Sequence, residues 1–118
     1  MESGKNIVFL GMMGSGKSSI GLMLSKKLKK KFFDIDICIE KELNMKISKL
    51  FNIKGENFFR EYEEKLTLKL LKKRNAIIAI GGGAFLNRNI RSEILKNHFS
   101  FWLKWNSGIL VKRIKNNP

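Results

Sequence analysis

Gly11-Met12-Met13-Gly14-Ser15-Gly16-Lys17-Ser18 is the stretch whose reading decides the fold. It fits G-x-x-x-x-G-K-[ST] at every fixed position, a pattern in which glycines let the backbone curl and turn successive N–H groups toward phosphate oxygens. Its flanks supply the context the pattern needs. Ile7-Val8-Phe9-Leu10 before it reads as a short buried strand, and a helical pattern over 17–28 follows, with Ile20, Leu22, Met23, Leu24 and Leu28 apolar. A helix beginning there adds unpaired N–H donors and a partial positive charge. Lys17 is placed to reach the β- and γ-phosphates, and the Ser18 hydroxyl to ligate Mg²⁺. The loop therefore predicts a nucleoside triphosphate ligand and leaves the acceptor of the phosphoryl group open.

Composition limits the classes available. With 118 residues, 43% of them hydrophobic, the chain is expected to form one compact domain over 1–118. No apolar run approaches the roughly 18–20 residues of a membrane span. The short N-terminal apolar segment runs straight into the glycine-rich turn, which argues against a secretory signal. A single cysteine, Cys38, cannot form an internal disulfide, so a reducing, cytoplasmic setting is the default. No Cys/His cluster surrounds it, and it reads as a small packed residue. The formal net charge of +14 suits an anionic partner such as nucleic acid. The lysines are nonetheless dispersed, from Lys26 to Lys73, onto faces and ends of expected helices, without interleaved aromatics. Anionic small molecules account for the charge, so neither nucleic acid nor membrane is expected as a partner, and the protein is expected to be a monomer.

Outward from the loop, strands and helices alternate. A second strand centres on Phe32-Phe33, helical segments fill 37–43, 47–53 and 58–72, and Ala76-Ile77-Ile78-Ala79-Ile80 is an apolar run suited to a strand buried on both faces. A helix over 89–96, a strand over 99–103 and a helical tail over 107–115 complete the pattern. The fold class is α/β, a parallel sheet flanked by helices on both faces. Ligands of such sheets sit beyond the carboxyl ends of the strands. The notable residues fall there: the phosphate loop after the first strand, Asp34 and Asp36 after the second, Gly81-Gly82-Gly83 after the third.

Each signal has a plain structural alternative. Asp34 or Asp36 could simply cap a helix; beside a phosphate loop, one carboxylate suits the metal and the other an attacking hydroxyl. Arg60 could present its planar fork to a carboxylate or phosphate, or pair with Glu63 at i, i+3 as an ordinary salt bridge. The triple glycine permits close approach of a ligand, or is only a turn.

In order and spacing, these segments resemble shikimate kinase, a small P-loop kinase family. The resemblance runs through the phosphate loop, Phe33-Asp34-Ile35-Asp36 with Ile39-Glu40, Ile47, Phe51, Gly55-Glu56, Phe59-Arg60 with Glu63, and Gly81-Gly82-Gly83. It implies a nucleoside-monophosphate-kinase-like P-loop fold and transfer of the γ-phosphoryl of ATP to the 3-hydroxyl of shikimate in aromatic amino-acid biosynthesis. By resemblance, Gly14, Ser15, Gly16, Lys17, Ser18 and Ser19 hold ATP, Ser18 and Asp34 hold Mg²⁺, and Asp36, Arg60 and Gly82 hold shikimate. Lys17 and Asp36 take the catalytic roles. The family continues past the equivalent of Pro118 into a lid, a last strand and a further helix, with one arginine over the phosphates and another on the substrate carboxylate. The last strand and lid are therefore expected to be missing, one edge or face of the sheet to be uncovered, and the chain alone to turn over poorly or not at all. Arg113 stands near the start of the expected lid. A gluconate- or nucleotide-directed P-loop kinase and a non-catalytic nucleotide-binding remnant are the alternatives.

Overall fold

In the computed structural model, residues 4–11, 17–104 and 110–113 are described, with side chains at 17, 18, 103, 104 and 110–113 outside the description. Strand β1 (Ile7–Gly11) lies at the centre of a sheet ordered β2-β3-β1-β4-β5, with β2 at Phe32–Asp34, β3 at Ile77–Gly81, β4 at Phe99–Lys104 and β5 at Leu110–Arg113. β2, β3, β1 and β4 run parallel. β5 runs antiparallel to β4, with Phe101 opposite Arg113. This corrects the helical reading of 107–115 within the described residues. The unpaired edge of β4 offers a row of backbone donors and acceptors, and Leu110-Val111 is well suited to pair with it.

The central strands β1 and β3 are buried because both sides of each are apolar. Val8 and Leu10 of β1, with Ile78 and Ile80 of β3, point into one core, and Ile7, Phe9 and Ile77 into another. The two-residue period of a strand sends neighbours to opposite faces. Helix α1 (Lys17–Leu28) covers the second core through Ile20 and Leu24. Helices α2 (Ile35–Leu43), α3 (Ile47–Lys54), α4 (Glu56–Leu71) and α5 (Arg88–Asn97) supply the first, through Ile39, Leu50, Phe59, Leu66, Leu70, Ile90 and Ile94. Helices thus lie on both faces, as the alternating pattern predicts.

Helix ends follow their local chemistry. Asp34 caps α2, its carboxylate accepting from the Ile37 N–H at 3.2 Å, and Asn87 caps α5 by accepting from the Ile90 N–H at 3.0 Å. Asn44 ends α2 in the left-handed conformation, at φ 52°. Glu40 reaches forward to accept from the Ile47 N–H at 2.9 Å, satisfying the first turn of α3. Gly55, at φ 88°, makes the corner from α3 into α4, a conformation that costs a side-chain-bearing residue energy. Below the sheet, fully buried Asn6 donates to the carbonyls of Leu71 (3.2 Å) and Lys73 (2.8 Å) and accepts from the Ala76 N–H (2.8 Å). It fixes where α4 hands over to β3.

Candidate active site

The register of the sheet brings the site together. Gly11 at the end of β1 lies opposite Gly81 at the end of β3, and Asp34 at the end of β2 lies opposite Ala79. Beyond these ends opens a cleft of about 340 Å³ lined by Gly11, Asp36, Ile47, Phe51, Phe59, Arg60, Glu63 and Gly81-Gly82-Gly83. Its apolar wall is the packed pair Phe51 and Phe59, with ring centroids 4.9 Å apart. Its polar groups are two acids, one guanidinium and glycine backbone, the mixture expected of a cleft for a small polar ligand.

Arg60 is held on three sides. Its Nη1 donates to Glu63 Oε1 at 2.9 Å, its Nε stands 3.6 Å from Glu56 Oε2, and its guanidinium lies 5.2 Å from the centre of the Phe59 ring. On the fourth side is Gly83, where an added Cβ would lie 2.8 Å from Arg60 Nη1. Glycine at 83 is therefore what lets the guanidinium settle against the β3 turn. The Glu63 side chain is only 4% exposed and that of Arg60 41%. The pairing is thus anchored in the core at one end and open to the cleft at the other. The i, i+3 spacing suggested a surface salt bridge; the buried acid makes it a mount for a cation that faces the cleft.

Asp36 occupies the first turn of α2, where a carboxylate is favoured by the helix dipole, and lines the same cleft. Asp34 is buried (6% exposed) at the start of that helix and caps it. Among the described residues no group of three or more His, Cys, Asp and Glu side chains could hold a metal ion. Mg²⁺ beside phosphates does not require such a cage; it takes one or two protein oxygens and fills its octahedron with waters and phosphate oxygens. A carboxylate at the tip of β2 and a hydroxyl at the opening of α1 are hard oxygen donors of that kind.

Of the sequence-predicted residues, Asp36, Arg60 and Gly82 come together in one cleft, and an added Cβ at Gly82 would meet nothing within 4 Å, so its backbone stands open. Lys17, Ser18 and Ser19 open α1, with Ser19 exposed. Gly14, Ser15 and Gly16, and the side chains of Lys17, Ser18 and Arg113, lie outside the described residues. Cys38 is half-buried against the core, and burial, with Glu42 and Asp34 nearby, pushes its thiol above the ordinary value of 9.0, the direction that disfavours the thiolate. The apolar wall of Phe51 and Phe59 carries no role in the sequence reading. Its two members sit on different helices, so no spacing within one helix announces them. A larger open groove of about 510 Å³ lies at the α2–α3 turn, but its acid, Glu40, is already engaged by the Ile47 N–H and Lys46.

Comparison with known proteins agrees with this fold. The family model described as "Shikimate kinase" matches residues 13–118. A shikimate kinase of Bartonella quintana (strain Toulouse) is 44% identical over 112 residues, which is 95% of this chain and 53% of that protein. One from Sulfurihydrogenibium sp. (strain YO3AOP1) is 40% identical over 113 residues, 96% of this chain and 68% of that protein. The chain thus spans little more than half the length of the first. Among solved structures, the shikimate kinase of Acinetobacter baumannii in complex with shikimate superposes with a TM-score of 0.80 at 30% identity, covering 86% of this chain and 56% of that one. The matched sequence, the fold and the placement of the strand-end residues lead to one assignment: this chain belongs to the shikimate kinase family.

Proposed function

We propose that this chain carries the nucleotide and acceptor sites of a kinase that transfers the γ-phosphoryl of ATP to the 3-hydroxyl of shikimate, giving shikimate 3-phosphate. The observation that carries this reading is the joint lining of one cleft by Asp36, Arg60 and Gly82. A cyclic polyol acid needs a cation for its carboxylate and an anion for its hydroxyls, and the cleft offers both. Arg60 would clamp the carboxylate through two parallel hydrogen bonds. Asp36 would accept from the ring hydroxyls and orient the one that attacks, with the Gly82 backbone closing the site. Gly14, Ser15, Gly16 and Ser19 would cradle the ATP phosphates, and Lys17 would stabilise charge developing on the transferred group. Ser18 and, through water, Asp34 would hold Mg²⁺, which when bound neutralises charge on the β- and γ-phosphates. Loose phosphoryl-transfer transition states need positioning more than proton abstraction, so the role of Asp36 is chiefly orientation. The setting would be the cytoplasm, and the working unit a monomer.

Competition among acceptors tests the reading. With a non-hydrolysable ATP analogue and Mg²⁺ present, shikimate is expected to bind at least tenfold more tightly than gluconate or a nucleoside monophosphate, a difference of about 1.4 kcal/mol. Preference for gluconate or a nucleotide would overturn the assignment of the acceptor.

A further inference from the structure

Dispersed along the sequence, the lysines are gathered by the fold. Each helix of a parallel sheet hands over to the next strand at the end away from the strand tips. The segments 4–6, 29–31 and 72–75, which lead into β1, β2 and β3, therefore meet at one end of the molecule, opposite the cleft. Hydrogen bonds hold them side by side: the Ile77 N–H donates to the Lys31 carbonyl (2.8 Å), the Asn75 N–H to the Gly4 carbonyl (3.1 Å), and Lys30 Nζ to Asn75 Oδ1 (3.3 Å). Lys5, Lys29, Lys31, Lys72 and Lys73 are exposed there, with Lys30 half-buried among them. Lys73 Nζ stands 5.3 Å from the centre of the Phe33 ring and Lys5 Nζ 5.1 Å from that of Phe99, so two of the ammonium groups rest on aromatic faces. The acids are elsewhere. Of the ten, all but Glu2 and Glu93 fall between 34 and 64, at the tip of β2, on α2 and on the first half of α4. Among the described residues none of these lysines is in an ion pair.

We propose that this end of the fold binds the phosphate backbone of a nucleic acid without reading its sequence. Lysines at helix C-termini are ordinary, because they meet the negative end of the macrodipole. Lys26 and Lys27 of α1 and Lys69 of α4 already fill that place in their last turns. The runs 29–31 and 72–74 lie beyond the helices, and Lys29 even takes the left-handed conformation, at φ 55°, that favours glycine. Crowding them together costs repulsion that an extended anion relieves. The row spans three adjacent strands, β2, β3 and β1, and at about 4.8 Å per strand that is about 10 Å, wider than one phosphate and matched to several in sequence. No apolar side chain interrupts 29–31 or 72–75. A protein partner would need an apolar centre to its interface, and lasting attachment to a bilayer a second signal beside the basic one. Phosphodiester backbone needs only the cations and a polar neighbour such as Asn75. The row lies on the β2–β3 side of the sheet, away from the β5 edge, and its use does not depend on which acceptor the cleft takes.

The test is a fluorescence anisotropy titration of the chain into a labelled DNA duplex of about 20 base pairs and, separately, a labelled RNA strand of about 20 nucleotides, between about 50 and 200 mM salt. Saturable binding of at least one is expected, with a dissociation constant of about 10⁻⁴–10⁻⁶ M near physiological salt, and the tighter of the two names the nucleic acid taken. Lys31→Gln, Lys72→Gln and Lys73→Gln combined are expected to weaken binding at least about tenfold and to make the duplex salt slope shallower by up to about 2.7, with circular dichroism unchanged. Each substitution alone is expected to act in the same direction, so the proposal stays open to refutation should the triple variant misfold. Lys46→Gln, Lys49→Gln and Lys54→Gln combined remove as much charge from exposed positions at α3 and are expected to leave affinity within about twofold. Absence of saturable binding, affinity indifferent to salt, or equal losses in the two triple variants overturns the proposal. So does tighter binding of phosphatidylglycerol vesicles or of poly-glutamate than of either nucleic acid, which assigns the row to a bilayer or to an acidic protein.

Discussion

Arg60 shows how a single side chain acquires a direction. Glu63 pulls it from the buried side, Glu56 from the exposed side, Phe59 lies against its face, and Gly83 leaves it room. Glu63→Gln keeps the shape of the acid and removes its charge, so shikimate affinity is expected to fall several-fold with ATP affinity unchanged; equal loss of both would point to unfolding instead. Gly83→Ala places a methyl where the guanidinium now sits. Because the far end of an arginine can swing aside, the expected result is weaker shikimate binding with little change in melting temperature. A melting-temperature drop with shikimate affinity intact would refute the account of that contact. The Arg60–Glu63 spacing was legible in the sequence, but not which partner was buried. Burial depends on where α4 lands against β3, and an i, i+3 pair carries no information about that.

At the scale of elements, three polar ties lock the helices that build the cleft. Tyr62 of α4 donates to Glu42 of α2 at 2.5 Å, and that hydrogen bond to the carboxylate, more than burial, raises the phenol above its ordinary value. A raised value means the stabilisation is present below the ordinary 10.0 and is lost as pH climbs through the higher folded value. Tyr62→Phe should cost no more than about 1 kcal/mol at neutral pH, because the pair is exposed. Glu64 of α4 accepts from Asn89 (2.7 Å) and Asn87 (3.1 Å) at α5, and these two bonds, Asn89 first, hold its carboxyl below the ordinary 4.5. Here the sign reverses. The tie is fully present above 4.5 and weakens as pH falls through the lower folded value, so Asn89→Ala should lose its destabilising effect in acid; an effect that persists in acid would contradict this. The third tie, Asn6, is fully buried with three bonds to backbone, and Asn6→Leu should destabilise by about 3 kcal/mol or more, as read by urea unfolding.

Across the whole molecule, the alternation of apolar strands and amphipathic helices was enough to reveal the parallel sheet, the helices on both its faces and the strand ends where the cleft opens. Ile77 to Ile80 announced a strand buried on both sides because every position is apolar. The stretch 107–115 misled because Leu110, Val111 and Ile114 fall at helix-like intervals; what decides its state between 110 and 113 is the open edge of β4, a long-range partner that no local pattern displays. Asn6 was silent for the same reason, since its partners lie more than sixty residues away. Gly11, Asp36 and Gly82 were legible as a set because three strand ends converge, and Arg60 of α4 through the family resemblance, while the phenylalanine wall, made across two helices, was not. The central claim is that this convergence seats a hydroxylated carboxylate on Arg60. Calorimetric titration of shikimate into the chain and into its Arg60→Ala variant tests it most directly. Loss of a charge-assisted bond of about 1.5–3 kcal/mol predicts at least tenfold weaker shikimate binding in the variant, with ATP affinity unaltered. Equal affinity of the two proteins for shikimate would contradict it.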